Sequence, residues 1–562
     1  MLARTSILTL LVAISLDVTS NVSAQTLVAD MTPGTGSTIF SASVTIGDRC
    51  YIYTRDGLWR SNGTAAGTQL ILPGIGILGE IVAFGNQLVM QVRDATLGSE
   101  LGVFDVRTEK LDVFDLNPGA SSSAPRYFRV AGDKLFFTCN DGVHGIEPWA
   151  TDGTRTGTTL LVDIQTGSFN GGASYFTEYE GRCYFFGLGD FYVSDGTPSG
   201  TTRLPDSFTS IDNGRSPLEP LARIGSRFVF EGSTATVSNE PCYFDVATGA
   251  NGLLKDLDPQ VSSLTAGYVS AGGYVWFQGN TSTAGQELWR TDGTPAGTVL
   301  FADLVAGTAS SKALPQSACG DRLLFFAIDA ANARGLWTTD GTTAGTSVLL
   351  PMASTSVSIE QTMQEVGQRV LFSYEATSFA GHELVLSDGT AAGTSMITSK
   401  SIVKASSNSP VFHGFLGKRL LFSGSSASTG IELWSTDLTR YVRTAGPTHG
   451  TTLTSLDPTL NSTWKVSGAR SPAGSVSVVI LGAPASVPVG STSYTGVVHH
   501  DPAVWFQLAV GAWSSPFTLN VPIPNDSALD GAWLTMQVWD FVPNGPGWDI
   551  ALGNGLHAVL GN

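Results

Sequence analysis

The chain has 562 residues, with 30 basic and 47 acidic side chains and a formal net charge of −17. Its apolar fraction of 42% is enough to build a core and excludes global disorder. The acidic balance, uninterrupted by any basic stripe, excludes nucleic acid and anionic membrane as main partners, because nothing concentrates cations against phosphate.

The length asks for several domains or a repeat array. Met1 to Arg4 is a short positive segment, Thr5 to Leu16 is mostly apolar, and Val22-Ser23-Ala24 places small or modest residues at a cleavage point. This pattern predicts a signal peptide over residues 1–24, cut after Ala24, and a secreted, extracellular or cell-surface protein. The apolar run is too short for a bilayer of about 30 Å, and no other stretch is long enough, so no integral membrane span is expected.

Cys50, Cys139, Cys183, Cys242 and Cys319 are far apart and form no CxxC pair. That is neither a disulfide framework nor a zinc spacing. Buried free thiols are expected, with one or two bridges after export left open.

A phrase recurs along the chain. It reads LWRSNGTAAGT at Leu58 to Thr68, EPWATDGTRTGT at Glu147 to Thr158 and VSDGTPSGT at Val193 to Thr201. It returns as ELWRTDGTPAGT at Glu287 to Thr298, LWTTDGTTAGT at Leu336 to Thr346 and ELVLSDGTAAGT at Glu383 to Thr394. A worn copy, ELWSTDLT, begins at Glu432, and two copies without the Gly-Thr begin at Glu100 and Glu240. The turn residues Asn62, Asp105, Asp152, Asp195, Asp245, Asp292, Asp340, Asp388 and Asp437 therefore mark nine units. A second marker, a glycine turn before an apolar run (Gly47, Gly85, Gly132 and onward), has the same count.

Each unit reads as four short strands rich in Phe, Tyr, Val and Leu and separated by Gly, Asp and Asn. The Asp or Asn oxygen accepts a backbone N–H two residues on, and the glycine supplies positive φ. Trp59, Trp149, Trp289, Trp337 and Trp434 are expected to wedge between sheets. Structure, not catalysis, is the reading for residues used up to nine times. These include Trp59, Asp152, Asp195, Trp289, Asp292, Trp337, Asp340, Asp388 and Trp434.

Units of this kind predict an all-β propeller of eight or nine four-stranded blades over residues 25–444. Units two and five are the weakest. Thr26 to Gly34 matches a fourth strand and is expected to close the ring on the last unit, in competition with Tyr441 to Arg443. An open solenoid is the alternative. The units resemble the ELWxTDGTxxGT repeats of large secreted bacterial proteins, often described as hyalin-like. The resemblance implies an extracellular propeller-like array and carries over no catalytic residues.

Residues 445–562 lack the phrase. Apolar runs alternate with turns there, predicting a β-sandwich. Trp533 and Trp539 share parity on one strand, which makes them either core or a ligand platform. The ending, Gln537 to Gly561, resembles a C-terminal domain of secreted planctomycete-type proteins, which implies a surface or export-associated module.

No GxSxG, HExxH, Walker A or EF-hand loop is present, and the GxGxxG at Gly74, Gly76 and Gly79 leads into a strand, not the helix a dinucleotide site needs. The scattered histidines, including the adjacent His499 and His500, form no chelate. No catalytic, cofactor or metal residue is assigned. A structural calcium is kept as an alternative, in which Asp30, Asp115, Asp163, Asp256 and Asp303 would join Glu100, Glu147, Glu240, Glu287, Glu383 and Glu432. The expected function is a non-catalytic scaffold or binding protein for extracellular protein or polysaccharide. The rival is a carbohydrate-active enzyme, a glycan hydrolase or lyase, with its site in the funnel, which non-repeated acids at the mouth would favour.

Overall fold

The strands from Gln25–Ala29 to Gly430–Asp437 are all antiparallel, and no helix interrupts them among the described residues. The computed structural model describes residues 25–437 apart from 214–215, 217–218, 235, 260–262, 353–362, 367, 375–382, 399–410, 417–418 and 427. Beyond residue 442 it describes backbone strands only. The predicted signal segment, residues 1–24, lies outside the described residues.

Nine sheets follow in chain order: blade 1 (40–73), blade 2 (76–114), blade 3 (126–160), blade 4 (174–204), blade 5 (210–253), blade 6 (266–302), blade 7 (314–352), blade 8 (364–396) and blade 9 (412–437). Eight are four-stranded. Blade 5 has five strands, because its first strand is split into Ser210–Asp212 and Ala222–Ile224, both paired with Arg227–Ser233. The chain is a nine-bladed β-propeller. Units two and five each make a complete blade, which settles the choice between eight and nine.

Each blade is covered on both faces by its neighbours, so its strands read as near-continuous apolar runs and not as clean alternation. In Lys134–Asn140, Leu135, Phe137 and Cys139 pack towards blade 2 while Phe136 packs towards blade 4. Nine apolar clusters fill the nine seams between neighbouring blades.

The ring closes through the N-terminal strand. Gln25–Ala29 is the outer strand of blade 9, with Thr26 opposite Ser435 and Leu27 opposite Trp434. Closure leaves no long sheet edge for another chain to extend. The competing segment goes elsewhere: Arg443–Ala445 pairs with Gly555–Val559. That pairing belongs to a six-stranded sheet, and Leu453–Ser455, Thr463–Gly468 and Phe517–Pro522 form a three-stranded one.

Candidate functional site

Antiparallel blades give the ring two faces. One carries the turns between strands one and two and between strands three and four. The other carries the loops between strands two and three, together with the linkers to the next blade.

The turn face holds the repeated phrase. In blade 6 the Thr291 and Thr298 hydroxyls share a hydrogen bond of 2.8 Å, and Gly293 N donates to Thr291 Oγ1 at 3.0 Å. Asp292 Oδ1 accepts from Thr294 N at 2.9 Å and from Thr294 Oγ1 at 2.6 Å. Gly297 N donates to Thr294 Oγ1 at 3.0 Å. A Cβ on Gly297 would lie 2.0 Å from Asp292 Oδ1, and Gly293 sits at φ 85, so both positions require glycine. The same bonds recur around Asn62, Asp152, Asp195, Asp340 and Asp388. Hydrogen bonds from Thr154, Thr197, Thr294 and Thr342 hold the Asp152, Asp195, Asp292 and Asp340 carboxyls below their ordinary value. Asp105 and Asp245 keep the capping role in shorter turns, accepting from Arg107 N and Ala247 N.

Sequence reasoning missed the partner of these turns. The first residue of strand two is long and polar, and it reaches the turn of the following blade. Arg419 donates to Gly63 O at 3.1 Å, Gln87 to Gly153 O at 3.2 Å, and Arg227 to Gly293 O. Blade 6 has Tyr274 at this place, and Arg290 from its third strand reaches Gly341 O at 2.8 Å. Lys134, Arg227, Arg322 and Arg419 also pair with the turn acid of their own blade, Asp152, Asp245, Asp340 and Asp437. The five repeat tryptophans pack in the seam with the preceding blade, Trp59 against blade 9 and Trp149 against blade 2, with Trp289, Trp337 and Trp434 placed alike.

On the linker face the repeated glutamates clasp the linkers. Glu287 accepts from Leu304 N at 3.0 Å, Ser311 N at 2.7 Å and Ser311 Oγ at 2.6 Å. Glu100 and Glu240 do the same with Leu116 and Ser123, and with Leu257 and Ser263. In blade 3 Glu147 accepts from Ile164 N at 3.0 Å, and Gly171 stands where the other blades have the serine, so close that a Cβ there would meet Glu147 Oε2 at 2.2 Å. Burial pushes Glu147 up to about 7 and raises Glu240, Glu287 and Glu432. The linker aspartates Asp30, Asp115, Asp163 and Asp303 each accept from a glycine N–H four residues on. Of the acids of the calcium alternative, these four aspartates and Glu100, Glu147, Glu240, Glu287 and Glu432 are thus engaged in folding the linkers. Among the described residues no three His, Cys, Asp or Glu gather as metal ligands.

Blade 5 breaks the repetition. Asp212 lies directly opposite Glu231, a like-charge cross-strand pair. Tyr175 Oη of blade 4 donates to Asp212 Oδ1 at 3.3 Å, and Thr265 Oγ1, on the linker into blade 6, donates to Glu231 Oε2 at 3.0 Å. Tyr268 Oη donates to Thr265 Oγ1 at 2.7 Å. Burial, opposed by the Thr265 bond, pushes Glu231 up to about 7. A carboxyl that holds its proton near neutrality beside a second carboxyl is what acid–base chemistry requires.

Exposed apolar side chains gather on the linker face. Val143 and Leu188 lie on loops between strands two and three, and Ile39, Phe169 and Leu264 lie on linkers. Among the described residues the other large exposed apolar side chains, Leu70, Val130 and Val348, are on strands, and none is in a turn of the opposite face. Trp533 and Trp539 sit on one strand, opposite Val559 and Val478, and their side chains lie outside the described residues.

No family model matches the chain, and no curated protein matches it significantly. The chain is similar to solved structures at low identity. A prolyl endopeptidase is 12% identical over 77% of this chain and 55% of its own, with a TM-score of 0.35. The dihydro-heme d1 dehydrogenase NirN is 12% identical over 63% and 71%, with a TM-score of 0.37. The β-propeller domain of the Trilobed protease from Pyrococcus furiosus is 11% identical over 72% and 97%, with a TM-score of 0.31. The chain spans about 55% of the length of the first of these. No helix among the described residues is long and apolar enough to cross a membrane.

Proposed function

We propose that this chain is a secreted or cell-surface binding protein, non-catalytic, that recognises extracellular protein or polysaccharide through the linker face of its ring. The observation that carries the reading is the division of labour between the faces. The turn face spends its repeated residues on holding blades together, while the linker face carries the exposed Val143, Phe169, Leu188, Leu264 and Ile39. Exposed apolar residues gathered on one face mark an interaction surface. The segment 1–24 read as a signal peptide, and the likeness of Glu287 to Thr298 to the ELWxTDGTxxGT repeats of secreted bacterial proteins, support the extracellular setting. Residues 445–562 are an attached second module.

The test is an array of glycans and extracellular proteins probed with residues 25–562 and with Phe169→Ser. Ligands lost in the variant support the reading. Ligands kept in the variant but lost on changing a turn residue overturn it.

Glu231 beside Asp212 favours a second reading, a glycan hydrolase or lyase at the inner mouth of blade 5. Product release from a bound glycan that is abolished by Glu231→Gln and Asp212→Asn would establish it. Intact glycan after long incubation removes it.

A further inference from the structure

We propose that the seam between blades 9 and 1 is an acid-operated joint, with the buried imidazole of His413 as its trigger. The inference goes beyond the binding-protein reading and does not depend on it.

His413 lies on the first strand of blade 9, Phe412–Leu416, and is 4% exposed. Its side chain meets blade 1. Nδ1 lies 3.2 Å from Ser43 Oγ, and the imidazole stands 4.6 Å from the Phe40 ring, centre to centre. Nε2 is buried and has no hydrogen-bond partner among the described residues. The backbone is packed as closely: Cys50 Sγ donates to His413 O at 3.5 Å, and a Cβ on Gly414 would lie 2.2 Å from Thr45 Oγ1. A histidinium has two N–H groups to satisfy and a charge to place. Ser43 Oγ serves one nitrogen, and nothing described serves the other.

No charge compensates. The strands packed against Phe412–Leu416 are Phe40–Ile46, Arg49–Thr54 and Arg419–Ser426. Phe40–Ile46 carries no ionisable side chain. On Arg49–Thr54, Arg49 meets the exposed Asp48, burial keeps the proton on Cys50, and Tyr51 and Tyr53 pack towards blade 2. On Arg419–Ser426 the ionisable group is Arg419, which meets Asp437 and Gly63 O on the turn face. None of these strands brings a carboxylate to the imidazole. Burial alone pushes His413 from the ordinary 6.5 down to about 3.

The opened chain therefore takes up a proton near 6.5, whereas the closed seam refuses it until about 3. This contribution to closure is fully present above about 6.5 and is lost as pH falls towards about 3. Within that window each unit of acid multiplies the open population about tenfold. The joint can part before the rest of the ring, because blade 9 is closed only by the pairing of Gln25–Ala29 with Gly430–Asp437. Glu432, which clasps Met31 and Thr38 beside the seam, is raised by burial and titrates in the opposite sense, so the test compares chains that differ at His413 alone.

Cys50 belongs to this seam and Cys139 to the seam between blades 2 and 3, so the ratio of their labelling rates reads the joint against the ring. The 25–562 chain is treated from pH 7 to pH 4 with a dipyridyl disulfide, a reagent that labels thiols in acid. In wild type the ratio of Cys50 to Cys139 is expected to rise about tenfold per unit below about pH 6. His413→Asn keeps a polar group for Ser43, and His413→Phe fills the site with an apolar ring. Both should hold the ratio level, and either serves if the other fails to fold. His144→Asn, on the exposed loop of blade 3, should leave the rise intact. A ratio that is flat in wild type, or that rises equally in a folded His413 variant, overturns the proposal. Parallel acceleration of all five thiols overturns it too, because that is acid unfolding of the whole ring and not the parting of one seam.

Discussion

The carboxylate of Glu432 in blade 9 accepts a hydrogen bond of 2.7 Å from the backbone N–H of Met31, 401 residues earlier in the chain. Thr38 Oγ1 donates to the same oxygen at 2.8 Å. Glu432 thus does for the ring closure what Glu287 does for an ordinary linker. Replacing it with alanine strands buried N–H and O–H groups beside the strand pair that alone closes blade 9. We expect Glu432→Ala to lose about 2–4 kcal/mol, and Glu432→Gln less. Urea unfolding and N-terminal proteolysis would report both. An unchanged midpoint in the alanine variant would show that strand pairing alone closes the ring.

The turns make a sharper prediction, because one copy already carries the control. Asn62 fills the place of Asp292 with the same acceptor, taking Thr64 N at 3.1 Å and Thr64 Oγ1 at 2.7 Å. The role is therefore that of a neutral oxygen, not of a charge. Asp292→Asn is expected to change stability by less than about 0.5 kcal/mol, and Asp292→Ala to cost about 1–2 kcal/mol. Gly297→Ala drives a methyl into the Asp292 carboxyl and is expected to cost about 1–3 kcal/mol. Thermal unfolding of the three variants checks the order. A costly Asp292→Asn would point to a charge-dependent role, such as a bound cation.

Much of this fold is legible in the sequence because the determinants are local. Asp292 and Gly297 lie within one turn, so the repeated phrase reveals nine units, though not whether each makes a blade, and Thr26 to Gly34 suggests the closing strand by its likeness to its siblings. What joins the blades is not local. Arg227 reaches Gly293, 66 residues on, and Glu287 reaches Ser311, 24 residues on in a linker with no fixed spelling. The glutamates stood out as repeats, yet without their partners they read as solvated strand ends, with a structural calcium as the alternative. Asp212 and Glu231 carry no motif. They meet only because an insertion splits the first strand of blade 5, and register, not spacing, shows it. Phe169 and Leu188 look like any other apolar residue until exposure is measured.

The clasps also set a pH dependence. Burial raises Glu147 from the ordinary 4.5 to about 7 in the folded state. Between those values the folded protein holds a proton that the unfolded chain has released. Its contribution is therefore fully present below about 4.5 and is lost as pH rises towards about 7. Glu231, raised likewise, acts in the same sense. The melting temperature is expected to fall from pH 5 to pH 8, and Glu147→Gln to flatten part of that fall. Parallel profiles in wild type and variant would mean that Glu147 is ionised throughout and held by its N–H donors alone.

The thiols give the last prediction. Cys50, Cys139, Cys183, Cys242 and Cys319 are all buried and unbridged. They sit in the seams: Cys50 between blades 9 and 1, Cys139 between 2 and 3, and Cys319 between 7 and 8. Burial pushes Cys50 and Cys242 up to about 12, so thiolate, the reactive form, is scarce at neutral pH. A maleimide or disulfide reagent is expected to find no thiol in the folded protein and all five after unfolding in denaturant. Because each thiol belongs to a different seam, the rate of labelling in mild denaturant, read site by site, would show which blades part first. Blade 9 is closed only by the pairing of Gln25–Ala29 with Gly430–Asp437, so the adjoining seam of Cys50 is expected to lead. Fewer than five thiols in the unfolded, unreduced protein would reveal a bridge and would contradict the buried, separate placement of these residues.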